Sequence, residues 1–132
     1  MNYRLIDFKI IGDERGKLVA LEQNKEIPFN IKRIYYIYDT KQGQERGKHA
    51  HTRLEQVMIA LNGSCTFVLD DGKVREEVCL DSPDFGLYIG KNIWREMKDF
   101  SSGCVLLGLV NEYYDENEYI RDYEKFLKEV NK

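Results

Sequence analysis

Two histidines, the only two in 132 residues, stand one residue apart at His49 and His51. Glu55 follows at the same parity, and an apolar run, Val57–Leu61, then ends at Asn62-Gly63. In a β-strand successive side chains alternate faces, so an extended stretch here would turn His49, His51, Arg53 and Glu55 the same way. Two imidazoles, a guanidinium and a carboxylate on one face are too polar for an ordinary core and too regularly spaced for a loop. That face is expected to line a site. A neutral imidazole takes or gives a proton near neutral pH, and two on one face could serve adjacent carbons of one substrate.

The same residues could instead bind a metal. His49, His51 and Glu55 are good ligands for a divalent ion, and their spacing resembles the first motif of the cupins, small double-stranded β-helix proteins. In cupins a later strand supplies a fourth ligand, usually histidine. The counterpart here runs Gly86-Leu-Tyr-Ile-Gly-Lys-Asn-Ile-Trp94 and puts Arg95 at the ligand position. Arginine stays protonated, donates no lone pair and repels a cation. With no third histidine to replace it, the expectation is a site without metal or other cofactor, in which the imidazoles move protons. Arg33 would be costly to bury unpaired inside its β-rich run. It calls for an anion, either a protein carboxylate or a ligand phosphate.

The elements that must position these groups are mostly strands. The chain length suits a single domain, residues 1–132, with a real core. Hydrophobic content of 42% with 33% charged residues is ordinary for a globular protein. A net charge of −3 argues against non-specific nucleic-acid binding. No stretch approaches the roughly 18–20 apolar residues of a membrane span, and the N-terminus lacks a signal-peptide pattern. The three cysteines, Cys65, Cys79 and Cys104, have no CxxC spacing and lie in apolar runs. They read as buried small hydrophobes in a cytoplasmic protein.

Strands are expected at Leu5–Ile11, Lys17–Glu22, Ile31–Tyr38, Val57–Leu61, Cys65–Leu69, Val74–Leu80, Phe85–Ile89, Ile93–Met97 and Cys104–Val110. Asn62-Gly63 and Asp70-Asp71-Gly72-Lys73 both carry hairpin signals. Only the end looks helical. From about Asp115 to Asn131, Tyr119, Ile120, Tyr123, Phe126, Leu127 and Val130 recur at three- and four-residue spacing, and Asp115 with Glu118 resembles a capping box. The fold class is therefore all-β, a sandwich or barrel with a C-terminal α-helix over 115–131.

Several runs are more specific than a generic cupin motif. Lys32-Arg-Ile-Tyr-Tyr-Ile-Tyr-Asp39, Arg46-Gly-Lys-His-Ala-His51, Leu54-Glu-Gln-Val57, Leu61-Asn-Gly-Ser64, Leu69-Asp-Asp-Gly72, Leu80-Asp-Ser-Pro83, Gly86-Leu-Tyr-Ile-Gly90 and Asp99-Phe-Ser101 resemble the sugar 3,4-ketoisomerases of the cupin superfamily. The likeness also takes in Trp94, Glu96-Met97 and the tail Tyr113-Tyr-Asp-Glu116. It implies a cupin (jelly-roll) barrel and an enzyme that acts on dTDP-4-keto-6-deoxyglucose, in the making of 3-amino-3,6-dideoxyhexoses. It also implies a metal-free homodimer that exchanges an N-terminal strand and holds the nucleotide sugar in the barrel mouth.

By the same resemblance His49 and His51 match the catalytic histidines and Tyr35 the tyrosine near the hexose, with Tyr36 adjacent. Arg33 and Arg46 match positions suited to the pyrophosphate. Arg15, and Arg95 beside Trp94, match positions near the sugar. Arg15 has the form of the galacto-producing branch and Arg95 that of the gluco-producing one, so the C4 configuration of the product stays open. A nucleotide-sugar 3,5-epimerase, a non-catalytic sugar-binding cupin and a metal-dependent cupin dioxygenase are the alternatives.

Overall fold

The computed structural model describes residues 1–132. Two five-stranded antiparallel sheets face each other. The first has the order β1 (Tyr3–Asp7), β9 (Phe85–Ile89), β6 (Gln56–Asn62), β11 (Val105–Val110), β4 (Arg33–Ile37). The second has the order β12 (Tyr119–Ile120), β5 (Arg46–His51), β10 (Trp94–Lys98), β7 (Cys65–Asp70), β8 (Arg75–Leu80). A separate hairpin pairs β2 (Ile11–Asp13) with β3 (Gly16–Leu18). Chain order jumps between sheets, the mark of a jelly roll. The expected all-β cupin-type barrel is what forms.

The core lies between the sheets, where alternate residues point inward. Met58, Phe67, Leu69, Leu87, Ile89, Ile93 and Leu106 are all at most 1% exposed there. A second apolar layer, including Ile27, Phe29, Ile59 and Leu109, covers the outer face of the first sheet under the irregular segment between β3 and β4. On the outer face of the second sheet the helix α1 (Tyr123–Val130) packs Phe126 on Ala50 and Trp94.

Three expectations need correction. The helix is eight residues, not seventeen, and Asp122 caps it by accepting from the Lys125 N–H. Asp115 caps only a 3₁₀ turn at Glu116–Glu118, and β12 lies between. Tyr119 and Ile120 satisfied the helical spacing because both are partly buried, but against β5 rather than along a helix. Asn62-Gly63 is no hairpin, since β6 and β7 belong to different sheets; it is the corner by which the chain changes sheet. Gly63 takes φ +69° there, and a Cβ would lie 2.4 Å from Ser101 Oγ. Cys65 and Cys104 are buried as expected, whereas Cys79 is exposed on β8. β1 pairs with β9 of its own chain.

Candidate active site

The histidines owe their aim to an irregularity in β5. Arg95 of β10 pairs with His49, but the next residue, Glu96, pairs with Gly47, so Lys48 is the extra residue of a β-bulge. Gly47 and Lys48 both have positive φ, +82° and +58°. A bulge of this kind bends a strand and redirects its side chains. A Cβ on Gly47 would meet the Arg95 carbonyl oxygen at 3.0 Å, which accounts for glycine at this position. Beyond the bulge His49 and His51 share the inward face, their ring centroids 4.8 Å apart at nearly a right angle.

They open on a cleft of about 470 Å³. Of the residues expected from sequence, Arg33, Tyr35, Arg46, His49 and His51 all line it. Tyr35 comes from β4, where inward Arg33, Tyr35 and Ile37 alternate with outward Ile34 and Tyr36. Tyr36 is 65% exposed and only borders the rim. The Tyr35 ring fits because its partner on β11 is Gly108, where a Cβ would lie 2.5 Å from the Tyr35 Cζ. Its hydroxyl donates to Gln56 Oε1 at 3.3 Å. Arg33 donates through Nε to the Glu112 carbonyl and lies 5.7 Å from the Tyr35 ring centre, whereas Arg46 is exposed on the rim.

Arg95 lies behind the histidines and is 1% exposed, so it does not line the cleft and does not stand at the sugar as the resemblance implied. The only hydrogen bonds of its guanidinium run to the Ile93 carbonyl, and Nη1 is buried without a partner. Burial pulls its guanidinium down to about 10, so it is still a cation at neutral pH. Burial, and then the nearby Arg95 charge, push His49 down to about 4 and His51 down to about 2. Both imidazoles are therefore neutral near pH 7. Burial holds the Tyr35 phenol above its ordinary value, protonated and able to donate.

Three expected features are elsewhere. Glu55 and Arg53 do not extend the histidine face, because β5 stops at His51 and the chain turns before β6 begins at Gln56. Glu55 instead accepts from Tyr88 Oη and Asn111 Nδ2. Without it the donor set for a metal is broken, and no group of three or more His, Cys, Asp or Glu side chains could hold an ion. Trp94 points out of the barrel: alternation places Arg95 inward and Trp94 beneath α1, its indole donating to Glu96 at 2.8 Å. Arg15, at the tip of the β2–β3 hairpin, binds Asp13 and is 85% exposed, outside the cleft of its own chain.

Seven lining residues were not expected at a site: Ile37, Gly47, Leu54, Gln56, Met97, Tyr119 and Arg121. Gln56 and Met97 follow from strand parity once β6 and β10 are placed. Tyr119 and Arg121 were hidden by the helical reading of the tail.

The family described as "FdtA: WxcM-like, C-terminal" matches residues 1–131. The chain belongs to this family. Among its relatives, a TDP-4-oxo-6-deoxy-alpha-D-glucose-3,4-oxoisomerase from Aneurinibacillus thermoaerophilus is 56% identical over 100% of the chain and 95% of its own length. A 3,4-ketoisomerase from Helicobacter canadensis is also 56% identical, with a TM-score of 0.98 over 100% of this chain and 99% of that one. A third member, a histidine-to-asparagine variant of the 3,4-ketoisomerase QdtA from Thermoanaerobacterium thermosaccharolyticum, was solved with TDP-4-keto-6-deoxyglucose. It is 46% identical, with a TM-score of 0.96 over 98% of this chain and 94% of that one. Two nucleotide-sugar epimerase structures, at 15% and 16% identity, share the fold and lie outside this level of likeness.

Proposed function

We infer that the protein is a sugar 3,4-ketoisomerase that converts dTDP-4-keto-6-deoxyglucose to a dTDP-3-keto-6-deoxyhexose. The observation that carries this reading is the pair of neutral imidazoles on one strand face, beside a buried cation and a protonated phenol. The ketone at C4 acidifies the C3 proton. One imidazole removes that proton, and the electron pair moves to the C4 oxygen to give an enediolate. The Tyr35 hydroxyl donates to the developing oxyanion, and the charge of Arg95, behind the histidines, favours it through space. Protonation at C4, with loss of the O3 proton, then leaves the ketone at C3. The net change moves one proton from C3 to C4 and one from O3 to O4, so the reaction is redox-neutral overall.

Arg33, Arg46 and Arg121 give the cleft a positive rim suited to a diphosphate. Named relatives that act on or bind TDP-linked 4-keto-6-deoxyglucose support this substrate. We place Arg15 at the sugar of a second subunit in a homodimer, because its exposed hairpin tip cannot serve its own cleft. The product would feed a step that aminates the new C3 ketone, and a cytoplasmic enzyme of glycan precursor synthesis fits that order. Trp94 is left as a support for α1.

The test is proton NMR of the product formed from dTDP-4-keto-6-deoxyglucose in deuterated water. A carbonyl at C3, with C5 keeping its proton, is the expected result, and the H4–H5 coupling of the product formed in ordinary water assigns gluco or galacto. Deuterium at C3 and C5 with the ketone still at C4 would identify a 3,5-epimerase instead. Binding of TDP-sugar with no exchange at carbon would identify a non-catalytic sugar-binding protein.

A further inference from the structure

The tail between β11 and α1 carries a device that neither a helix nor a loop requires. Glu118 is 2% exposed. Its carboxylate accepts from Thr52 Oγ1 at 2.6 Å, from the Arg53 N–H at 2.6 Å and from the Leu54 N–H at 2.8 Å. These three donors make up the turn that follows β5. Arg53 Nη1 lies 3.5 Å from the same carboxylate. A buried carboxylate is costly unless it is fully bonded, and an apolar side chain would fill the space at less cost. Only the carboxylate supplies directional bonds at that point.

What those bonds decide is register. β12 is two residues long, too short to choose its own alignment, yet it pairs Tyr119 with His51 and Ile120 with Ala50. A slip of one residue would turn Tyr119 away and bring Ile120 to its face. In the observed register the Tyr119 ring packs on both imidazoles, at 5.0 Å from His49 and 4.4 Å from His51. Nδ1 of each histidine is buried without a protein partner. The hydrogen bond that commonly fixes an imidazole's orientation is therefore missing for His51, and for His49 only the Gly47 backbone offers one; ring packing supplies the rest. Arg121, next in line, lies 4.4 Å over the Tyr119 ring and bonds Glu116.

We propose that Glu118 is a positioning residue for the two histidines: it pegs the tail to the β5–β6 turn and so holds Tyr119 against both rings. The effect on turnover rests on the ketoisomerase reading; the effect on the rings does not. Glu118→Ala should lower kcat by at least about tenfold while KM changes little, since misplacement of a reacting group by a fraction of an ångström acts on the chemical step. Glu118→Gln keeps an oxygen acceptor and should recover most of that loss.

¹⁵N-imidazole NMR of the free protein gives the second readout. Each ring should show one sharp tautomer in the wild type and in Glu118→Gln, and exchange-broadened signals in Glu118→Ala. Where Glu118→Ala does not fold, Thr52→Val removes one of the three bonds and should broaden the same signals. Wild-type imidazole spectra and wild-type kcat in Glu118→Ala, or wild-type spectra in Thr52→Val, would overturn the proposal. A wild-type protein that turns over no ketosugar would strike the ketoisomerase reading alone, because the spectra still decide the role of Glu118.

Discussion

At the residue scale the chemistry depends on imidazoles kept uncharged. The larger cause is burial and the next is the charge of Arg95, so the two can be separated by substitution. The acid limb of kcat/KM reports the free enzyme's base. It is expected well below the ordinary histidine value of about 6.5, and Arg95→Gln should move it upward; an unmoved limb would remove the Arg95 charge from the causes. Replacing His49 and His51 by Asn should abolish turnover while TDP-sugar binding, measured by calorimetry, persists. That variant keeps a polar amide at each position but has no titratable base. Turnover in the double variant would remove the histidines from the mechanism.

At the element scale the site depends on places where a regular strand is interrupted or thinned. The bulge at Gly47-Lys48 turns β5, and Gly108 opens a seat in β11 for the Tyr35 ring. Gly108→Ala would drive a Cβ to 2.5 Å from that ring. Since the neighbour is a packed aromatic ring rather than a flexible chain end, the strand or the tyrosine must shift. Overpacking of this sort costs about 1–3 kcal/mol. The expected outcome is a lower thermal midpoint together with reduced kcat, checked by calorimetry and a turnover assay on the same preparation. A variant that melts and turns over as the wild type does would mean that Tyr35 can move freely, contrary to its role as a fixed donor.

For the whole molecule, neutral buried histidines link stability to pH. In the unfolded chain an imidazole titrates near about 6.5, whereas in the fold His49 titrates at about 4 and His51 at about 2. Above about pH 6.5 both states carry neutral rings, so the pair costs nothing. Below it the unfolded chain takes up protons that the fold refuses, and stability falls as pH drops toward 4. Each ring contributes at most about 1.4 kcal/mol per pH unit. The thermal midpoint should therefore decline between pH 6.5 and pH 5, and the His49→Asn, His51→Asn double variant should decline less steeply. Equal slopes would place the acid sensitivity in the carboxylates. No helix is long and apolar enough to cross a membrane.

Local sequence alone marked the strands from Ile31–Tyr38 to Cys104–Val110 and most of the site, whereas the expected Leu5–Ile11 and Lys17–Glu22 became β1 at Tyr3–Asp7 and the short β2–β3 hairpin. Period-two alternation marks Arg33, Tyr35 and Ile37 as one face of β4, and the His49-x-His51 spacing needs only an extended backbone to put both rings together. Family likeness in contiguous runs such as Arg46–His51 pointed to the activity for the same reason, since the chemistry sits in short segments. Tertiary structure decided what depends on a partner strand. It turned Trp94 outward and Arg95 inward, sent Glu55 to Tyr88 and Asn111, and laid Tyr119 against β5 instead of continuing α1 back to Asp115. Three- and four-residue apolar spacing records which residues are buried but not against what. The contacts that settle the tail run from Glu118 to Thr52, Arg53 and Leu54, more than sixty residues away in the chain, beyond the reach of any local pattern.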